Sequence, residues 1–318
     1  MIALSSRRLR ILGQEWPLYL FVLPAFVMVA VFAYLPALSA LYHSFFEWSG
    51  DQSKRFIGVD NFIRLWNDPV LWSSFGTIAI LMVANVLKLI PSIFLAVMIH
   101  RLRNARWQYI YRVLVVVPMV VPGLVTLFVW KGFFDANVGA LNRFLEATGL
   151  MTLFRHADNA FSWGIFQGPD LPPAWLGQPE LILPALIIWG FPWIGAVGVL
   201  VYLAGLQSIG TEVYEAADLD GVNSWQKFFF IELPLIMTQV RITLVLLIIG
   251  TLQGFGLQLL LLGENGGPEG RGMVPGLWMY NRAFYAGEFG YACAVGLIIF
   301  FVILGLTLIN NRFVRVKK

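Results

Sequence analysis

Six long stretches of the sequence contain almost no charged side chains. They cover residues 16–46, 69–100, 113–130, 181–211, 242–263 and 289–311, and Lys88 is the only charge within them. A helix needs about 20 mainly apolar residues to cross the roughly 30 Å hydrocarbon core of a bilayer. The pattern therefore predicts an all-α integral membrane protein with six transmembrane helices.

The composition narrows the class of protein further. Charged residues make up 13% of the 318 residues, whereas soluble domains carry about 25%. The net charge of +4 comes from basic residues beside the apolar stretches, so a basic face for nucleic acid is not expected. The sequence has one cysteine, no GxxxxGK[ST] phosphate loop and no HExxH pair. We therefore expect no catalytic residues, no metal site and no nucleotide site in this chain.

The basic residues indicate how the spans are oriented. If the N-terminus is inside, 13 of the 22 Lys and Arg residues are cytoplasmic, in agreement with the positive-inside rule. These are Arg7, Arg8, Arg10, Arg101, Arg103, Arg106, Arg112, Lys227, Arg241, Arg312, Arg315, Lys317 and Lys318. Both termini are then cytoplasmic, with residues 1–15 as a tail and residues 16–318 as one transmembrane domain.

Two segments between the spans are long enough to have structure of their own. Residues 131–180 form the predicted outer loop, with helical periodicity from Ala140 to Leu150 and a proline-punctuated loop after it. The charged segment between the fourth and fifth spans is predicted to be cytoplasmic.

The cytoplasmic segment is predicted to contain two short helices. Thr211 is expected to cap the first helix, and Gly221 to end it in the left-handed conformation. Asn223 or Ser224 is expected to cap the second helix. Two such helices could lie on the inner leaflet or present Glu215 to a partner protein, and the pattern alone leaves both open.

The spacing of residues in this segment is specific. Glu215-Ala216-Ala217 is followed after three residues by Gly221, and after nine more by Ile231, with Leu233 and Pro234 just beyond. This spacing resembles the EAA motif of the membrane subunits of bacterial ABC importers. Asp220, Trp225 and Phe228 resemble the form found in sugar importers, whereas Val222 and Thr238 replace its usual alanine and a frequent proline.

Other segments resemble the maltose and glycerol-phosphate importer permeases, in the same order along the chain. They are the FxGxxNF loop at Phe56 to Phe62, the GxxN signature at Gly139 and Asn142, Trp175-Leu176, the Gly266-Gly267-Pro268 turn, and Tyr280 to Ala294. The resemblance to this MetI-like family implies the type I ABC importer fold.

The resemblance also implies roles and partners. In the family, the EAA loop, here residues 207–236, docks into a cleft on an ATPase subunit. Glu215 would form an ion pair there, the small Ala216 and Ala217 would allow close approach, and Leu233 and Pro234 would connect the loop to the fifth span. The implied partners are a second permease, two ATPases that bind ATP and Mg²⁺, and an extracytoplasmic solute-binding protein. The chain itself would hold no cofactor, and with its partners it would import a carbohydrate, expected to be an oligosaccharide, across the bacterial inner membrane by alternating access.

The resemblance places the solute site before the Gly266 turn. The candidates in this chain are Gln253, Phe255, Gly256 and Gln258. An amide could bond sugar hydroxyls and Phe255 could stack on a sugar ring, but the family often carries Asp or Asn where Gly256 stands. Both glutamines could instead bond neighbouring helices.

Lys88 is a further candidate because a charge within a span is costly and often functional. It could face the pathway and favour an anionic sugar. Alternatively, it pairs with a carboxylate of the partner permease or extends towards the membrane surface, and these structural roles are preferred.

Functions of other classes remain as alternatives. An ion-coupled carrier usually has carboxylates within its spans, and a membrane-embedded enzyme needs a nucleophile or a metal set. The spans carry no carboxylates and no constellation of residues for a nucleophile or a metal. An ABC permease for a solute other than a sugar is the nearer alternative.

Overall fold

The computed structural model describes residue 16 and residues 18–166, 168 and 171–313. The predicted tail at 1–15 and the basic residues Arg315, Lys317 and Lys318 lie outside the described residues. The described chain is mostly helical, as predicted, and it divides into two compact units. The first contains the described residues up to Asn67 together with Arg282–Leu297, and the second contains Asp68–Asn281 and the described residues from Ile298 onward.

The helices follow one another with short connections. They are α1 (Leu18–His43), α2 (Asp60–Trp66), α3 (Pro69–His100), α4 (Ala105–Val120), α5 (Gly123–Phe133), α6 (Ala140–Ala147), α7 (Leu150–Phe161), α8 (Pro179–Ile188), α9 (Ala196–Gln207), α10 (Thr211–Leu219), α11 (Ser224–Leu235), α12 (Met237–Gln253), α13 (Gly256–Leu262), α14 (Pro275–Phe284) and α15 (Phe289–Phe313). Two short strands, β1 (Phe46–Trp48) and β2 (Lys54–Phe56), form an antiparallel hairpin between α1 and α2.

The number of candidate spans reaches the predicted six only when bent pairs are counted as single spans, and two of these pairs include α10 and α11, which were predicted to be cytoplasmic. Helices α1, α3 and α15 are each long and apolar enough to cross a membrane. The pairs α4 with α5, α9 with α10, and α11 with α12 bend by 88°, 73° and 67°. Counting each pair as one span gives up to six among the described residues.

Three of the predicted spans are not continuous helices. The span at 113–130 breaks between α4 and α5 at Pro122, whose ring nitrogen cannot donate a helical hydrogen bond. The span at 181–211 breaks between α8 and α9, where Gly190 has a positive φ. The span at 242–263 breaks at Gly254 and Phe255. Uncharged length alone does not predict these breaks, because it registers apolar character but not the backbone hydrogen bonds.

In the first unit, a buried amide fixes the hairpin. The Nδ2 atom of Asn61, at the start of α2, donates to the carbonyl oxygens of Ser44 (2.9 Å) and Phe46 (3.0 Å). Asn61 belongs to the FxGxxNF segment, so this segment has a structural role. Arg64 of the same helix forms an ion pair with Glu288.

The part of the second unit between α5 and α8 is organised around Asn142. Its Nδ2 donates to the carbonyls of Ala136 and Pro173, and its Oδ1 accepts from the indole Nε1 of Trp175 at 2.8 Å. A Cβ on Gly139 would lie 2.2 Å from the Asp135 carbonyl oxygen, so this position requires glycine. These contacts hold together the segment predicted as an outer loop. The second helix there, α7, was not predicted.

The core beside the segment predicted to be cytoplasmic joins α3, α9 and α12. Its buried residues are Ile93, Ala96, Val97 and Ile99 from α3, Val199, Tyr202, Leu203 and Leu206 from α9, and Phe228, Ile236 and Val240 from the region of α11 and α12. The hydroxyls of Tyr202 and Thr243 share a buried 2.6 Å hydrogen bond. Helices α10 and α11 follow α9 and precede α12, so they connect two of the helices that pack in this core.

Candidate functional site

The first helix of the segment predicted to be cytoplasmic ends as predicted, but its N-cap lies one residue before the predicted cap. Gly210 is the N-cap and Thr211 is the first helical residue, so the assignment of Thr211 as the cap was wrong. The helix ends at Leu219, and Gly221 follows with φ +70° in the left-handed region. The left-handed stop is therefore confirmed.

Asn223 caps the second helix through a reciprocal capping box. Its side chain accepts from the backbone nitrogens of Trp225 and Gln226, while the Gln226 side chain accepts from the Asn223 nitrogen. Pro234 lies one residue before the end of α11, close to the predicted end. The sequence thus specifies a compact helix, turn and helix.

A buried ion pair anchors this loop, and sequence reasoning did not find it. The Glu232 side chain is 0% exposed and contacts Arg101, which is 32% exposed and follows the end of α3. Arg101 Nη2 lies 2.6 Å from Oε2 and Nε lies 3.0 Å from Oε1, a bidentate arrangement. Arg101 also donates to the carbonyl of Ser224 at 2.8 Å. The available signal was a glutamate enclosed by the apolar residues that precede Pro234.

Two further contacts link the loop to its surroundings and to itself. The Tyr214 hydroxyl shares a 3.1 Å hydrogen bond with Nε2 of His100, the last residue of α3. Burial, assisted by the Glu232 carboxylate, raises the pKa of Tyr214 to about 12, so this hydroxyl stays protonated at neutral pH. Lys227 pairs with Asp218 across the turn at Gly221. These contacts stabilise the loop where it packs against the rest of the second unit.

Other residues of the loop are exposed to solvent. Glu215 and Ala216 are exposed, as are the apolar Leu219, Trp225 and Phe230. We call these five residues the loop surface. Glu215 forms no ion pair with any described residue. Ala217 is buried, so its small side chain serves packing within the chain and not the close approach of another surface, which was the expectation.

The remaining members of the motif lie in and behind this surface. Asp220 is exposed at the end of α10, whereas Phe228 is buried. Ile231, Leu233 and Pro234 are half-buried near the start of α12. Their position is that of a connection between the loop and the next span.

A cavity of about 340 Å³ lies deeper in the second unit. Its volume is within the range of ~300–1,000 Å³ typical of small-molecule sites. It is lined by Ile78, Leu81, Asn85, Lys88, Leu186, Trp189, Leu247, Gly250, Thr251, Gly254, Phe255, Gly256, Leu257 and Gln258. Four of the five sequence candidates, Lys88, Phe255, Gly256 and Gln258, therefore surround one cavity.

The two glutamine candidates differ in position. Gln258 lines the cavity with 7% of its surface exposed, and its amide has no hydrogen-bond partner among the described residues. Gln253 is exposed at the end of α12 and does not line this cavity. Neither amide bonds a neighbouring helix in the described part of the chain. That role belongs to Asn85, which donates to Thr251 Oγ1 at 3.1 Å and which sequence reasoning missed.

Lys88 lies at the junction of this cavity and a second one of about 520 Å³. Its Nζ is 3.3 Å from the carbonyl oxygens of both Leu186 and Trp189, at the C-terminal end of α8. The two cavities share Asn85, Lys88, Trp189 and Leu247. The ammonium group is thus held within the second unit by a helix end.

The chain resembles known transport proteins over most of its length. The family described as "Binding-protein-dependent transport system inner membrane component" matches residues 89–316, well over half of the chain. The lactose transport system permease protein LacF of Rhizobium radiobacter is 29% identical over 305 residues, covering 94% of each chain. The sn-glycerol-3-phosphate transport system permease protein UgpA of Yersinia enterocolitica is 29% identical over 310 residues, covering 95% of each.

A solved structure has the same fold. It is a chain of a bacterial ABC transporter involved in the import of the acidic polysaccharide alginate, and it matches with a TM-score of 0.75. The match covers 97% of this chain and 98% of the other at 22% sequence identity.

Proposed function

The chain belongs to the family of inner membrane components of binding-protein-dependent transport systems, and we propose that it is the permease subunit of an ABC importer for a carbohydrate. The observation that carries the proposal is the loop at α10 and α11. A buried ion pair fixes the loop to the end of α3, while Glu215 and several apolar side chains of the loop are exposed. This arrangement suits a rigid contact that transmits force to a soluble partner.

The proposed partner at the loop is an ABC ATPase. Exposed aromatic and apolar side chains are typical of an interface centre that becomes desolvated on binding, and the exposed Glu215 would pair with a basic side chain of the partner. Two ATPases with bound ATP and Mg²⁺ would close together and move this chain and a second permease between two states. A solute-binding protein would deliver the cargo from outside, and both termini of the chain would be cytoplasmic.

The carbohydrate cargo is supported by the relatives and by the cavity. The relatives include permeases named for lactose and for diacetylchitobiose. The cavity combines the aromatic rings of Trp189 and Phe255 with the amides of Asn85 and Gln258. Rings can cover the apolar faces of a sugar while amides bond its hydroxyls.

The proposal predicts that transport requires the partners and depends on Glu215. Proteoliposomes with the complete complex should take up the solute only with ATP inside, and the chain alone should not transport. Glu215→Lys should lower ATP-dependent uptake about tenfold or more, because a mispaired charge at an interface costs 2 kcal/mol or more. Membrane insertion should be unchanged.

The matched control is Glu146→Lys, which makes the same charge change at an exposed position on α6. It should leave uptake near the wild-type level. Uptake by the purified chain alone would favour an ion-coupled carrier, and normal uptake by Glu215→Lys would remove the docking role.

A further inference from the structure

We propose that the cargo carries an anionic group and that Lys88 recognises it, so that the importer selects acidic saccharides. This inference rests on the proposed function and specifies the substrate class of the same pathway. Of the described residues that line the two cavities, Lys88 alone carries a charge. Because Lys88 lines both cavities, a solute in either one can reach it.

The charge of Lys88 is only partly compensated by the protein. No carboxylate of the described residues forms an ion pair with it, and its polar contacts are the carbonyls of Leu186 and Trp189. An ammonium group has three N–H donors, so one donor remains for a ligand. The end of α8 contributes about half a negative charge, which holds the ammonium group in place without neutralising it.

The ring of Trp193 also lies near the ammonium group. Lys88 Nζ is 5.9 Å from the centroid of this ring, which lines the larger cavity. The amine therefore contacts the carbonyls at a helix end and lies near an aromatic ring that lines the larger cavity. A fixed cation beside a cavity is the arrangement that favours an anionic ligand.

The neighbouring groups fit the rest of a saccharide. Gln258 is more than nine-tenths buried, lines the smaller cavity, and has an amide without a partner among the described residues. Its amide can donate and accept with hydroxyl groups. Phe255 lies between Gln258 and the end of α12 and lines the same cavity. The combination of an amide, aromatic rings and one cation points to a sugar that bears a carboxylate or a phosphate.

The test uses the complete importer in proteoliposomes and pairs of saccharides that differ only in charge. An oligogalacturonate and its methyl ester form one pair, and a sugar phosphate and its parent sugar form a second pair. We expect uptake and ATPase stimulation to favour the acidic member of at least one pair by about tenfold, the equivalent of 1.4 kcal/mol. The pair that responds distinguishes a carboxylate from a phosphate.

Two variants assign the preference to Lys88. Lys88→Met removes the charge and should reduce the ratio of acidic to neutral uptake about tenfold, whereas Lys88→Arg should retain much of it. A lysine that only stabilises α8 would change uptake of both members equally and leave the ratio unchanged. Assembly with the ATPases, measured by gel filtration, shows that the variants fold.

The outcomes separate this inference from the function on which it rests. If ATP-dependent uptake occurs but favours neutral saccharides, or if Lys88→Met keeps the acidic preference, the inference is wrong and the importer function stands. If no saccharide of either kind is imported with ATP, the proposed function and this inference both fail.

Discussion

Outside the cavities, the most deeply buried charged side chain among the described residues is that of Glu232. A carboxylate with no exposed surface must be paired, because leaving it unpaired costs far more than the pair itself gains. Arg101 supplies two hydrogen bonds to it and one to the Ser224 carbonyl, so a single guanidinium joins the end of α3 to both ends of α11. The ion pair therefore sets the position of the loop surface.

The two partners should respond unequally to substitution. Arg101→Met leaves a fully buried carboxylate unpaired and should destabilise the chain by about 3–5 kcal/mol. Glu232→Leu leaves an arginine that is 32% exposed and can reach water, so its effect should be smaller. The double variant should be more stable than Arg101→Met. Thermal unfolding of the purified complex measures all three, and equal losses for the two single variants would contradict this account.

Sequence reasoning identified residue types better than residue positions. The stretch before the Gly266 turn nominated Gln253 and Gln258 together, but only Gln258 lines the cavity. The reason is the break at Gly254 and Phe255, which separates the two amides onto different helices. Similarly, Glu232 and Arg101 are 131 residues apart, and no local pattern connects them.

For the secondary-structure elements, residues close together in the sequence predicted the helix ends in the loop but not the breaks within the spans. Capping residues and a left-handed glycine act over a few residues, so the end of α10 and the start of α11 could be predicted from Gly221 and Asn223. The breaks in the spans depend on tertiary packing. Polar backbone groups exposed at a break need other partners within the membrane, and Lys88 supplies one such partner to the end of α8.

The turn between α10 and α11 should tolerate asparagine better than a branched residue at position 221. A Cβ there would meet no atom within 4 Å, so the cost of substitution comes from the backbone at φ +70°. Gly221→Val should cost about 1–2 kcal/mol or more in the loop conformation. Gly221→Asn should cost less, since asparagine adopts this conformation more readily.

The measurement for this prediction is the affinity of the ATPase for the permease pair, with uptake as a second readout. Gly221→Val should weaken association and uptake together, and Gly221→Asn should remain closer to the wild type. Equal behaviour of the two variants would indicate that the left-handed turn is not needed for coupling.

For the whole molecule, contacts within the second unit show which ends of the helices lie together. Arg101 contacts Glu232, and the Nδ2 atom of Asn310, near the end of α15, donates to the carbonyl of Arg241 at the start of α12. The end of α3 and the loop therefore share one side, and the end of α15 lies near the base of α12. The pairings thus bring together segments that the positive-inside rule assigns to one side, and the assignment of that side to the cytoplasm stays a prediction.

Cysteine labelling can test this orientation directly. Because Cys293 is the only cysteine, Cys293→Ser gives a cysteine-free background with one substitution. Ala105→Cys and Ala147→Cys then place single thiols at exposed positions, at the start of α4 and the end of α6. A membrane-impermeant maleimide should label position 147 in right-side-out vesicles and position 105 only in inverted vesicles. The reverse pattern would place the loop surface outside, where no ATPase could reach it, and would overturn the importer function together with the orientation.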